Sequence, residues 1–166
     1  MTRIPHCRSA ALLSASWLAG AWAGQISLQE QHPKSKRAAV LEDNEKVAYL
    51  YLIPAGKQAP DRATVAYSRV PPVPVVDWKK ANETGEPPLI GRDVASARAV
   101  IVFPKKREFS FRWSHDGHAV ALLRNGEPIA LASAGEPVGY SKAVAKPGKL
   151  AKPWDAKRYT ELIEAR

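Results

Sequence analysis

The chain has 166 residues, with 25 Lys and Arg against 16 Asp and Glu, one cysteine and a formal net charge of +9. A single cysteine excludes both an intrachain disulfide framework and a cysteine-ligated zinc site, so the fold must rest on a packed core. The length allows one domain with its own core and is too short to expect two.

The first residues read as an export signal. Arg3 and Arg8 make a short basic region, and "SAALLSASWLAGAWA" is an apolar run too short to stay as a membrane span. Ala21-Trp22-Ala23 offers the small-x-small pattern of a cleavage site, so residues 1–23 are expected to be a cleavable signal peptide. Its removal takes Cys7, Arg3 and Arg8 and leaves 23 bases against 16 acids, a charge of +7. The expected location is the periplasm or the exterior, with no transmembrane segment after cleavage.

That charge sits toward the C-terminus. Residues 24–96 hold ten bases and nine acids, whereas residues 97–166 hold thirteen and seven. A basic exported protein meets anionic surfaces, namely lipid phosphates, acidic polysaccharides or acidic proteins. Nucleic acid is not an expected partner for an exported chain.

Residues 24–45 are polar without sustained periodicity, and the expectation is a flexible segment with a short helical turn near Ala38–Leu41. Residues 46–166 are expected to form a single β-rich domain. "KVAYLYLI" places apolar residues at both alternating sets, as a strand covered on both faces does, and "RATVAYSRV" (62–70) returns beside it. Five prolines between residues 71 and 88 predict an extended surface connector, because proline withholds a donor from a sheet. "ARAVIVF" (97–103) reads as a buried strand and "EFSFRW" (108–113) as an alternating one.

Two dipeptides then set a register. Asp116-Gly117 and Asn125-Gly126 each suit a two-residue hairpin turn with positive φ at both positions. Together they would place Phe111, Trp113, Val120, Leu122, Ile129 and Leu131 on one face, pairing Leu122 with Ile129 and Val120 with Leu131. Ala119, Ala121, Leu123, Ala130 and Ala132 would line the other face, small enough for close approach of a covering element. Pro128 lacks a donor and marks residues 127–133 as an edge strand. Asp155 is a good N-cap for "AKRYTELIEA", with Trp154 able to pack on Tyr159 and with Tyr159, Leu162 and Ile163 in one stripe. The expected fold class is mainly β (α+β), an antiparallel sheet built from hairpins with a C-terminal helix packed on it.

Two stretches could carry function. In "GYSKAVAKPGKLAKPWD" (139–155), Lys142, Lys146, Lys149 and Lys152 recur while Pro147-Gly148 and Pro153 forbid a continuous helix. The expectation is an irregular strap with outward lysines, pinned at its ends by Tyr140 and Trp154. Joined by Lys105, Lys106 and Arg107, these lysines could also form a cationic groove, whose binding would be salt-sensitive. In "SHDGH", His115 and His118 would face each other across a hairpin mouth with Asp116 between them, a partial metal site or an acid–base pair. No nucleophile elbow, phosphate loop or zinc-protease motif occurs.

These features predict a non-enzymatic exported interaction module. It would bind a protein partner or an anionic envelope polymer through its basic half, with no cofactor. The competing readings are a small metal-dependent or acid–base hydrolase using His115, Asp116 and His118, and an envelope scaffold without a discrete site.

Overall fold

The computed structural model describes residues 24–165; the expected signal peptide lies outside them. Two sheets build the molecule. The first is a meander of β1 (Ile26–Gln31), β2 (Ala38–Asp43), β3 (Val47–Ile53) and β4 (Arg62–Ser68), in the order β1-β2-β3-β4. The second contains β5 (Phe109–Trp113), β6 (Ala119–Arg124), β7 (Glu127–Ser133), β8 (Tyr140–Ser141) and β9 (Lys152–Pro153), in chain order. Its neighbours are antiparallel except β8 and β9, which run parallel.

The sheets share one core. Leu41, Leu50, Leu52 and Ala66 of the first pack with Phe109, Val120, Leu122, Ala130 and Ala132 of the second. The outer face of the first sheet, carrying Val47, Tyr49 and Val65, is covered by Ile90, Ala99, Ala143, Val144 and Ala151. On the outer face of the second sheet, Ala119, Ala121, Leu123 and Leu131 receive Tyr159 and Ile163 of the C-terminal helix. That helix begins as α2 (Ala156–Tyr159) and continues as a π-helix over Thr160–Glu164. As expected, Asp155 caps it by accepting the Arg158 N–H at 3.0 Å, and Trp154 lies 5.5 Å from Tyr159. Arg112, which faces Ala121 on the small-residue face, donates to the Tyr159 hydroxyl at 3.0 Å.

Several expectations are corrected. Residues 24–45 hold two strands, and Ala38–Leu41 is extended rather than helical. Ile26 and Leu41 are buried in the shared core while alternate residues of β1 face outward. The edge of β3 supplies β2 with a ladder, which outweighs the polarity of the segment. The proline-rich connector contains a helix, α1 (Trp78–Thr84), because Asp77 accepts the Lys80 N–H and Gly85 closes its end at φ +71. Residues 97–103 are not a strand: Val100 makes one isolated parallel bridge with Ser68, and Val102 and Phe103 are exposed. Phe103 turns to φ +51 before Pro104, which ends any extension.

The meander register holds on one side and slips on the other. Phe111 faces Leu122 and Trp113 faces Val120, as expected. Past the Asn125-Gly126 turn (φ +50 and +81), Leu123 faces Pro128, but Leu122 then faces Ala130 and Val120 faces Ala132. Ile129 is the extra residue of a β-bulge, so Leu131 points to the helix side and Ala130 and Ala132 to the shared core. The donorless Pro128 stands beside this interruption in the ladder. Nor is β7 an edge, since Ala130 and Leu131 pair with Ser141 and Tyr140 of β8.

Candidate functional site

An open cleft of about 380 Å³ lies between the end of β4 and the β6–β7 hairpin. Local structure explains its lining. The tight Asn125-Gly126 turn sets Arg124 opposite Glu127. The bulge residue Ile129 accepts the Lys142 N–H through its carbonyl at 2.9 Å, which brings the strap to the cleft. Ala66, Ile101 and Ile129 supply apolar surface, with Val100 beside them. Around it stand Arg98, Arg124 and Lys142, with Glu127 as the lone carboxylate of the lining.

Glu127 holds two of these cations. Lys142 Nζ lies 2.6 Å from its Oε1, and Arg98 Nη1 lies 3.7 Å from the same atom. The hydrogen bond from Lys142 keeps the Glu127 carboxyl below the usual carboxylate range. Arg124 instead pairs with Glu108 at 3.0 Å. Lys142 Nζ also sits 5.3 Å from the Trp154 ring, so two expected site residues do meet.

The other strap residues divide. Lys142 and Lys152 are not simply outward, since both are half-buried and paired. Lys152 and Arg158 converge on Glu136, with Lys152 Nζ at 3.0 Å, and the Tyr140 hydroxyl donates to the same carboxylate at 2.7 Å. Burial alone would raise the Glu136 pKa, but these three donors outweigh it and lower it to about 2. This cluster ties the strap to the C-terminal helix. Lys149 lies 4.9 Å from the Trp78 ring, and Lys146 is exposed. Lys105, Lys106 and Arg107 are exposed just before β5, the edge strand opposite β9 in the five-stranded sheet, so they do not continue the strap's row.

The "SHDGH" tip differs from its expected geometry. Asp116 keeps negative φ, and Gly117 alone is left-handed at φ +74. Ser114 and Ala119 close the ladder, leaving His115 and His118 inside a four-residue loop rather than as a ladder pair. Side chains hold this longer loop: Asp116 Oδ1 accepts from the Ser114 hydroxyl at 2.6 Å and from the His118 N–H at 3.0 Å. Those bonds, led by Ser114, keep the Asp116 carboxyl below its ordinary value. The tip packs on the β1–β2 turn, where buried His32 lies 5.3 Å from Trp113. His115 Nε2 accepts from Lys34 Nζ at 3.0 Å and His118 Nδ1 from Arg37 Nε at 3.1 Å. Two cations aimed at the ring nitrogens oppose a metal ion there. Among the described residues, no three His, Cys, Asp or Glu side chains form a metal-holding group.

A second cleft of about 400 Å³ lies between the β2–β3 turn and the proline-rich connector. Its charged residues balance, with Lys46 and Lys80 against Asp77 and Glu86. Sequence reasoning reached Lys142 but missed Arg98, Arg124, Glu127 and Ile129. The signal for Arg124 and Glu127 was present, because they flank the Asn125-Gly126 turn; Arg98 enters through a loop that periodicity read as strand.

The fold is thus mainly β, two packed sheets with a C-terminal helix, and its mixed cationic and apolar cleft opens beside a hairpin. No protein-family model matches the chain, no curated protein matches it, and no solved structure matches it. Among the described residues no helix is long and apolar enough to cross a membrane.

Proposed function

We propose that this protein is an exported, non-enzymatic interaction module, periplasmic or released, that binds an acidic protein segment or an anionic envelope polymer in the Arg98–Arg124–Lys142 cleft. The observation that carries the reading is the composition of that cleft: three cations and a single carboxylate around an apolar floor. Guanidinium groups accept carboxylates and phosphates in a planar, two-point geometry, and the ammonium of Lys142 adds a point charge. Ile101, Ile129 and Val100 offer surface to the aliphatic part of the same ligand. Such a set holds an anion in place by charge and by apolar contact.

Fluorescence anisotropy with labelled polyglutamate and with labelled polyphosphate, at low and at high salt, tests the reading. Binding to at least one probe is expected at low salt and should fade as added salt screens exposed charge over roughly 10 Å at about 0.1 M. Arg98→Glu, on a largely exposed side chain, and the double change Arg98→Glu with Lys142→Glu should weaken it progressively, by about tenfold for the pair. Binding that ignores both changes, or no binding to either probe, would refute the cleft as the site.

A further inference from the structure

We infer that the loop Val102–Arg107 docks the protein on an anionic phospholipid surface, independently of the cleft. Val102 and Phe103 are 62% and 85% exposed, an unusual position for two adjacent large apolar side chains. Their projection is built in rather than left loose. On one side Ile101 donates its N–H to the Ser68 carbonyl at 2.9 Å and packs against the shared core; on the other Pro104 is buried. Between these anchors Phe103 takes φ +51, a left-handed conformation that is unfavourable for a bulky side chain. Burial of the ring does not offset this strain, and strain of this kind clusters at functional sites.

Charge selects the occupant. Lys105, Lys106 and Arg107 follow at once, all exposed, and among the described residues none makes an ion pair. The nearest acid in sequence, Glu108, is engaged with Arg124 at 3.0 Å. Neither cleft is lined by Val102 or Phe103, so the loop presents a projection rather than a socket. A projecting apolar tip beside three free cations suits a fluid, negatively charged interface: the ring enters the acyl boundary while the cations reach headgroup phosphates. A protein partner would need a matching pocket and acidic rim of its own.

Co-sedimentation with phosphatidylcholine vesicles, with or without phosphatidylglycerol, tests this. The mature chain from Gly24 onward, without the apolar run of residues 1–23 that would itself enter lipid, should partition onto the phosphatidylglycerol vesicles, lose that partition with added salt, and leave phosphatidylcholine vesicles unbound. Phe103→Ser should reduce the partition about tenfold, and Lys105→Glu with Lys106→Glu by more than about tenfold. Lys57→Glu, with half the charge change of the double variant, is the distal control; it lies in the β3–β4 loop, at the far end of β4 from the Ser68–Val100 bridge, and should sediment like the parent. Equal binding to both vesicle types, or parent-like sedimentation of both loop variants, overturns the proposal. No sedimentation with phosphatidylglycerol vesicles also overturns it and leaves the loop as a protein contact. Polyglutamate binding in the cleft can succeed or fail without changing these outcomes.

Discussion

Glu127 holds Lys142 Nζ at 2.6 Å at the cleft, and Arg98 approaches the same carboxylate oxygen. An incoming anion must compete with this resident carboxylate. Glu127→Gln should therefore strengthen binding of an anionic probe, by about threefold for a single exposed charge. Anisotropy titration at low salt measures it, and weaker binding by the variant would contradict the assignment of Glu127 as competitor.

Acid sensitivity should trace to Glu136. Its pKa in the fold is about 2 against an ordinary 4.5, so its folded value is depressed. The stability it contributes is present above pH 4.5 and is lost as pH falls toward about 2. After allowance for solvent screening, that contribution is about 2 kcal/mol. Thermal melts of the parent and Glu136→Gln between those limits should converge, with the variant less stable at neutral pH and flatter in acid. Parallel curves would show that the carboxylate is not the sensitive group.

Asp43 is fully buried at its side chain and is held by Arg69 Nη2 at 2.7 Å and by the Tyr67 hydroxyl at 2.5 Å. Asp43→Ala strands a mostly buried guanidinium. It should cost about 3–5 kcal/mol in chemical denaturation, the usual result of breaking a buried pair from one side. A loss under about 1 kcal/mol would mean that water reaches Arg69 readily.

Gly117 of the hairpin tip lies against the β1–β2 turn, its carbonyl accepting from the Ser35 hydroxyl at 2.8 Å. A β-carbon there would lie 2.2 Å from His32 Nδ1, and φ is +74. Gly117→Ala should destabilise the fold by about 2–4 kcal/mol, from the left-handed backbone and from displacement of His32. Gly126→Ala, at φ +81 with open space around it, should suffer only the backbone part of that loss. Comparing the two melts separates the effects.

Legibility followed the range of the signal. Local chemistry read true: the Asp155 cap, the Trp154–Tyr159 contact and the left-handed Asn125-Gly126 turn depend on residues a few positions apart. The β5–β6 register was also right, although Ser114 and Asp116 side chains built a longer loop than the dipeptide implied. Failures came where a distant strand decided. Val102 is as apolar as Val65, but β4 already has β3 on one edge, and only Ser68 bridges to Val100. Leu131 changed sides because Ile129 bulges, which a count of alternate residues does not register. For the same reason the cleft was half visible: Lys142 stood out by repetition, while Arg98 and Glu127 join it only through tertiary packing.

The segment between β8 and β9 ends in one sheet yet lays Ala143, Val144 and Ala151 over the other, and the Val65 N–H donates to Leu150 along the way. Peeling the layers apart would require this stitch to come out first. Amide protons of β4 and β7 should consequently exchange together, at the rate of whole-molecule opening, and denaturation should proceed in one cooperative step.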